Sequence, residues 1–316
     1  MNLSSQTQKK ILVSDFHIGL NQAQVATLKK TGAICKLLTM SGSVSLTNVK
    51  EDLSYNEQKV VNEIKKLFFL GAEKSWFGRS WTPAKTQALF QVVGEKIMAE
   101  VFAEYDVYLV SFPPSLAHLF VYLAEKYDKQ VILNLGHRFN IGVKTREENE
   151  AMFSLLNYLH QSSRHILASG SEYDCQYVKY YLGFEPPKLP IICNHLKLNK
   201  PSPELDTILI GPVNFQFKPV ETRLNALADN WCRKNNQKSI KFSLIRTLYK
   251  KYDSYEELAS HLAVVIMPYS AYSISMLELY ELNIPFFVPA PKLLIREGFL
   301  SDRALIPIYC DKKQYA

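Results

Sequence analysis

Short apolar runs alternate with longer amphipathic runs along almost the whole chain. Runs such as Ile11-Leu12-Val13 and Val131-Ile132-Leu133 have the length and composition of buried strands, and each is followed by a longer stretch whose apolar residues recur at helical spacing. Parallel strands need a crossover between them, which is usually a helix. The alternation therefore predicts an α/β fold with parallel sheets.

The alternation falls into two sets with a polar segment between them. The first set predicts strands near 11–15, 33–38, 107–111, 131–135, 165–169 and 190–193, and helices near 55–70, 85–103, 115–127, 146–161 and 171–182. The second predicts strands near 207–211, 240–245, 263–267 and 285–288, and helices near 219–235, 254–262 and 273–282. Residues 197–206 contain two prolines and are typical of a linker. We predict two Rossmann-like domains, over 1–196 and 207–316.

Composition limits the class of protein. The chain has 316 residues, of which 47% are hydrophobic and 21% charged, as in a soluble globular protein. No apolar run is long enough to span a membrane and the first residues lack a signal-peptide core, so we expect a cytoplasmic protein. The five cysteines are scattered and none is in C-x-x-C spacing, which argues against a zinc site or a disulfide framework.

The net charge of +7 favours anionic partners. A nucleotide sugar, an acidic glycan and the anionic face of a membrane, bound peripherally, all fit this charge. Nucleic acid is not expected, because no helix-turn-helix, zinc-finger or RNP-like pattern accompanies the basic residues. The oligomeric state is left open.

The segment from Ala263 to Pro289, AVVIMPYSAYSISMLELYELNIPFFVP, predicts a strand, a polar turn, a helix and a second strand. The amides at the start of such a helix, with the hydroxyls of Ser273 and Ser275, suit a phosphate or diphosphate. Glu278 lies one turn further on, where it could accept from ribose hydroxyls. The alternative is a capping box, in which Ser275 and Glu278 only start the helix.

The same residues resemble the donor-binding segment of GT-B glycosyltransferases. The matching pattern is Pro-Tyr-Ser at 268–270, Ser-Ile-Ser-Met-Leu-Glu at 273–278 and Asn-Ile-Pro-Phe-Phe-Val-Pro at 283–289. The resemblance implies two Rossmann-like domains facing each other across a cleft. It assigns Glu278 to the ribose, and Ser273 and Ser275 to the diphosphate. Tyr272, in the same turn, is a further candidate for binding the donor.

A candidate catalytic base follows the first predicted strand. Asp15 and His17 are two residues apart, and Gly19 would let the backbone approach the donor. Inverting GT-B enzymes often carry their base in this loop, so the resemblance assigns acceptor deprotonation to His17 or Asp15. The alternative is that Asp15 caps the next helix and His17 packs.

Further candidates lie at other predicted strand ends and in one aromatic loop. His137 and Arg138 could hold the acceptor, although a surface loop explains them equally well. Trp76 and Trp81 could offer faces to sugar rings, or could plug the core. The remaining candidates are two basic residues for the donor diphosphate, with simple solvation as the alternative: Lys218 and Arg246.

Absent motifs and the resemblance together give the predicted function. The chain has no Asp-x-Asp for a metal, no G-x-G-x-x-G, no P-loop and no G-x-S-x-G elbow. Retaining GT-B enzymes commonly have a Glu where this chain has Ser270, which favours inversion. The resemblance implies a glycosyltransferase that moves a sugar from a UDP or GDP donor to a glycan or other acceptor hydroxyl without a metal or cofactor. The alternatives are a nucleotide-sugar epimerase of similar fold and a non-catalytic binding scaffold.

Overall fold

The structure is a computed structural model, and it describes residues 8–14, 16, 18–40, 53–70, 80–198, 203–211, 218–249, 255–267, 274–290 and 292. These residues form two compact units, which meet in the sequence between His195 and Leu196. Unit 1 contains β1 Lys10–Val13, α1 Ile18–Lys29, β2 Ile34–Leu37, α2 Tyr55–Phe69, α3 Pro83–Val93, α4 Glu95–Phe102, β3 Val107–Val110, α5 Ala117–Tyr127, β4 Gln130–Leu135, α6 Arg146–Gln161, β5 Ile166–Ser169 and α7 Glu172–Leu182. Unit 2 contains β6 Leu205–Gly211, α8 Lys218–Asn235, β7 Lys241–Leu244, α9 Ile245–Leu248, α10 Tyr255–Ala259, β8 His261–Ile266, α11 Ile274–Glu281 and β9 Phe286–Phe287.

Each unit is built on one parallel sheet. The strand order is β2-β1-β3-β4-β5 in unit 1 and β7-β6-β8-β9 in unit 2, and every strand pair in these two sheets is parallel. The prediction of an α/β fold with parallel sheets in both halves is confirmed. In such sheets ligands bind at the carboxyl ends of the strands where the order reverses. That point lies between β1 and β3 in unit 1 and between β6 and β8 in unit 2.

Helices cover both faces of the first sheet because its strands are apolar on both sides. Leu12 and Tyr108 point into the large core beneath α2 to α6, where Phe102 and Phe120 are also fully buried. Val13 and its neighbours point to the other face, against α1. A strand buried on both faces reads as a continuous apolar run, and the sequence shows such runs at these strands.

Two predicted elements of unit 1 are wrong. The single helix predicted near 85–103 is two helices, because Gly94 has φ of 90°, ends α3 and precedes α4. The strand predicted near 190–193 is absent. The chain makes one bridge beside β5, between Ser169 and Lys188, and Pro190 then has no N–H with which to continue the pairing.

In unit 2 the helix predicted near 254–262 is shorter. It ends at Ala259, and His261 already begins β8. Among the described residues, no helix is both long and apolar enough to cross a membrane.

The segment after α7 lies across the carboxyl ends of β4 and β5. The Asn134 side-chain amide donates to the Leu189 carbonyl at 3.1 Å. Ile191 packs where Gly170 has no side chain: a Cβ on Gly170 would lie 2.6 Å from Ile191 Cδ1 and 3.3 Å from the Leu135 carbonyl oxygen. Gly170 therefore allows this segment to close over the strand ends.

We expect Gly170→Ala to lower the free energy of unfolding by about 1–3 kcal/mol through this overlap. Ile191→Val removes the Cδ1 atom and should cost about 1 kcal/mol alone. Urea denaturation of both single variants and the double variant tests the contact. The double variant should regain most of the free energy of unfolding that Gly170→Ala loses. If the two losses in free energy of unfolding are strictly additive, the new alanine side chain does not contact Ile191.

Candidate functional site

The turn after β1 is tied to the end of β3 at the switch point of unit 1. The Ser14 amide donates to the Leu109 carbonyl at 2.9 Å, and the Phe16 amide donates to the Phe112 carbonyl at 2.8 Å. Asp15 and His17 lie outside the described residues, so their assignment as catalytic base stays a prediction. Gly19, predicted to approach the donor, is the second residue of α1 and is partly exposed.

Buried polar side chains from α1 meet the end of β3 at the same edge. The Gln24 amide donates to the Ser111 hydroxyl at 2.5 Å, and both residues are buried. The Gln24 side-chain oxygen is also buried, and no described residue forms a hydrogen bond with it. Asn21, one turn before Gln24 on α1, is fully buried as well. Sequence analysis missed this group because the weakly amphipathic stretch over 18–29 was not assigned to a helix.

Arg138 is buried rather than part of a surface loop. The residue is 8% exposed, and its guanidinium lies 5.9 Å from the ring centroid of Tyr177 on α7. The Tyr177 hydroxyl donates to the Asn140 side-chain oxygen at 3.1 Å. His137 is partly exposed, and its ring centroid is 5.5 Å from that of Phe112 at the end of β3. The two predicted acceptor residues therefore both follow the end of β4, with His137 near the end of β3 and Arg138 near α7.

Asp174 lies beside Arg138 and was not found from the sequence. Its carboxylate accepts from the Ser171 hydroxyl at 2.6 Å, and the Asp174 amide donates to the same hydroxyl oxygen at 3.1 Å. Burial raises the pKa of Asp174 to about 6, although the Ser171 hydrogen bond and the charge of Arg138 act in the opposite direction. The hydrogen bonds identify Asp174 as part of the cap of α7. Arg138 lies 36 positions earlier in the chain, so no local sequence pattern shows that it is close to Asp174.

The two tryptophans predicted to line an acceptor wall have separate outcomes. Trp81 is 1% exposed, and its indole N–H donates to the Thr86 hydroxyl at 2.8 Å. It belongs to the hydrophobic core, as the plug alternative has it, and offers no face to a sugar ring in this structure. Trp76 lies outside the described residues.

Helix α11 carries the predicted donor-binding residues of unit 2. The helix begins at Ile274, so Ser275 is its second residue, while Tyr272 and Ser273 lie outside the described residues. The Tyr255 hydroxyl on α10 donates a hydrogen bond to the Glu278 carboxyl group. Because Ser275 does not precede the helix and Glu278 bonds to another helix, the capping-box explanation of this pair does not hold.

Glu278 borders a small, mostly apolar cavity. The cavity has a volume of about 20 Å³, which accommodates roughly one water molecule. Burial raises the pKa of Glu278 to about 7, and the Tyr255 hydrogen bond lowers it by less. A nucleoside does not fit in this space, and Glu278 as a whole residue is partly exposed to solvent. The cavity is lined by Ile245, Tyr255, Leu258, Val264, Ile266, Ser275, Glu278 and Leu279.

The two basic donor candidates, Arg246 and Lys218, lie on helices of unit 2. Arg246 is exposed on α9, directly after β7, and Lys218 is the first residue of α8, where the structure gives its backbone only. The Met267 amide donates to the Gly211 carbonyl at 2.9 Å, which aligns the ends of β8 and β6. Glu278 and Arg246 thus follow two different strands of one parallel sheet.

One further histidine of unit 1, His118, has a perturbed pKa. His118, near the start of α5 after β3, has its pKa lowered to about 4 by burial, so its ring is neutral at neutral pH. In the sequence it falls inside the helix predicted near 115–127, where nothing distinguishes it from a residue that only packs.

Within the described ranges no three His, Cys, Asp or Glu side chains lie close enough to hold a metal ion. Since Asp15 and His17 fall outside those ranges, independence from metal stays a prediction.

Comparison with known proteins gives fold-level likenesses only. The sequence matches no protein-family model and no curated protein. A crystal structure described as a UDP-N-acetylglucosamine 2-epimerase from Listeria monocytogenes has a TM-score of 0.49 and 10% identity, covering 95% of this chain and 90% of that one. S. aureus MnaA in complex with UDP has a TM-score of 0.36 and 11% identity, covering 94% and 89%. Likeness at this level does not assign an activity to the chain.

Proposed function

We propose that the chain is an enzyme acting on a nucleoside diphosphate sugar, which it binds through unit 2. The observation that carries the proposal is Glu278 on α11, next to the switch point of the second sheet. This carboxyl group does not cap its helix, and burial perturbs its pKa, as is common for groups that bind ligands or substrates. The GT-B-like sequence pattern around it supports a role in holding the ribose.

The finer proposal is a glycosyltransferase. Ser275 and Ser273, with the amides at the start of α11, would hold the diphosphate, and Glu278 would accept from the ribose. Charge develops on the leaving diphosphate during transfer, and a helix N-terminus stabilises that charge without an ion. His17 or Asp15 would deprotonate the acceptor hydroxyl, and His137 and Arg138 would orient the acceptor. This mechanism requires no metal and no cofactor.

A nucleotide-sugar epimerase is the alternative within the same class, and product analysis separates the two. A transferase leaves most of the donor unchanged when no acceptor is present. An epimerase converts the donor alone, and one that removes and returns a carbon-bound proton takes up deuterium from heavy water. NMR of the nucleotide sugar after incubation with the full chain, without acceptor, distinguishes these outcomes.

The first experiment on binding is a thermal-shift series with UDP, GDP, ADP, CMP and dTDP, each with and without EDTA. A ligand present at about 100 times its dissociation constant adds about 2.7 kcal/mol to the free energy of unfolding, which corresponds to a rise in Tm of a few degrees. We expect one nucleotide to raise the Tm selectively and EDTA to leave the rise intact. If no nucleotide raises the Tm, the donor site around Glu278 is wrong; binding without turnover would favour the non-catalytic scaffold.

A further inference from the structure

One side of α8 presents exposed apolar residues to solvent. The opposite side packs on the second sheet: Cys232 is buried, and the Asn225 side chain bonds to both the amide and the carbonyl of Phe242, at 2.8 and 2.9 Å. With α8 fixed in this way, Leu227 is 58% exposed and Trp231 is 56% exposed. The two residues are four positions apart and therefore neighbours on one helix face.

Two basic residues lie beside this apolar pair. Arg223 and Lys234 are exposed and fall on the same arc of the helix, within about 40° of Leu227 at 100° per residue. Exposed Arg233 lies outside this arc, about 120° from Leu227, and its Nε donates to the Asp229 carbonyl at 3.2 Å. We call Arg223, Leu227, Trp231 and Lys234 the α8 face. From 218 to 241 the sequence has six basic residues and two acidic ones. Of the acids, Glu221 is buried and Asp229 lies about 160° around the helix from Leu227.

We propose that the α8 face docks on an anionic lipid bilayer. Tryptophan and leucine between cations are the composition of helices that lie in the bilayer interface, where the apolar side chains enter the headgroup region and the cations meet lipid phosphates. The phosphates of a nucleic acid would bind the cations, but a nucleic acid would give the exposed leucine no apolar environment. A second copy of the chain in a two-fold dimer would place the cations of the two faces against each other.

Vesicle flotation of the full chain tests the proposal. The probes are vesicles of phosphatidylcholine alone and of phosphatidylcholine mixed with phosphatidylglycerol. We expect the chain to float with the anionic vesicles, to remain behind with the neutral ones, and to detach at high salt. Replacing Arg223 and Lys234 together by glutamine should weaken binding about twenty-five-fold, at about fivefold per cation.

Matched variants separate the α8 face from overall charge and overall hydrophobicity. The control for the cations replaces Lys30 and Lys144, two exposed lysines of unit 1, by glutamine, and it should keep wild-type binding. Leu227→Ser with Trp231→Ser should weaken binding at least about tenfold. Tyr180→Ser, at an 81% exposed position of α7, is the control for that pair.

The variants alter exposed positions, so their melting temperatures should match that of the wild type. The proposal is overturned if the chain binds neither kind of vesicle, or if the two double glutamine variants lose binding equally. It is also overturned if a DNA duplex binds more tightly than the anionic vesicles and depends on the same cations but not on Leu227 and Trp231. None of these outcomes depends on whether unit 2 binds a nucleotide.

Discussion

Glu278→Gln should raise the free energy of unfolding by about 3 kcal/mol at pH 8 and by less than about 1 kcal/mol at pH 5. The pKa of Glu278 is raised from 4.5 to about 7 in the folded chain, so folding favours its protonated form. The wild type therefore loses stability as the pH rises from about 4.5 through 7, while the carboxyl ionises in a site that resists charge. Glutamine stays neutral and can still accept from Tyr255, so it avoids that loss.

Urea denaturation of the wild type and the variant at both pH values measures this effect. Ser275 lines the same cavity and carries no ionisable group. The control variant Ser275→Ala should therefore keep the pH dependence of the wild type. Equal stability changes at pH 5 and pH 8 for Glu278→Gln would contradict the buried, uncharged environment that the structure gives this carboxyl group.

The same variant bears on the donor site. If Glu278 accepts from ribose hydroxyls, glutamine should lower nucleotide affinity by about 1 kcal/mol at pH 8, which is roughly fivefold, because the hydrogen bond then goes to a neutral acceptor instead of a charged one. Isothermal titration with the nucleotide found by thermal shift measures it. A variant that is more stable and yet binds more weakly is the behaviour of a ligand-binding residue, since such residues often cost stability. Unchanged affinity would remove Glu278 from the site.

The sequence was sufficient for the sheets because their signal is local. Runs such as Val131-Ile132-Leu133 are apolar throughout, as strands covered on both faces must be, and the connecting helices have clear apolar periods. Prediction failed where a single residue interrupts an apolar pattern that is otherwise typical of a helix or a strand. Gly94 divides a stretch that is otherwise continuous helix, and Pro190 stops the pairing of an apolar run that resembles a strand.

Site residues were harder to predict because their environments are made by distant parts of the chain. Trp81 sits in an aromatic loop that suits sugar binding, but the Thr86 and Ser115 hydroxyls hold it in the core. Glu278 follows Ser275 at capping-box spacing, and only the position of Tyr255, 23 residues earlier, shows that its carboxyl group turns elsewhere. Burial and cross-element hydrogen bonds of this kind are not encoded in a short motif.

His17→Ala should lower the turnover number by about two to four orders of magnitude, the usual contribution of a general base. The nucleotide affinity of this variant should stay nearly unchanged, since the proposed donor site lies in unit 2. The neighbouring residue Phe16 is held by contacts that do not involve His17. The Phe16 amide donates to the Phe112 carbonyl, and the Phe16 ring centroid is 4.4 Å from that of buried Phe68. The substitution should therefore leave the melting temperature close to that of the wild type.

Initial rates against pH, on the donor and acceptor found above, test the role of His17. An imidazole base gives a rate that rises with pH through about 6 to 7, and His17→Ala should remove that limb of the profile. Asp15→Asn is the companion variant. If His17→Ala keeps near-normal turnover while Asp15→Asn loses it, the base is the carboxylate. If His17→Ala instead lowers the melting temperature and leaves the pH profile intact, then His17 packs and does not take the proton, and the loss of rate follows from the loss of structure.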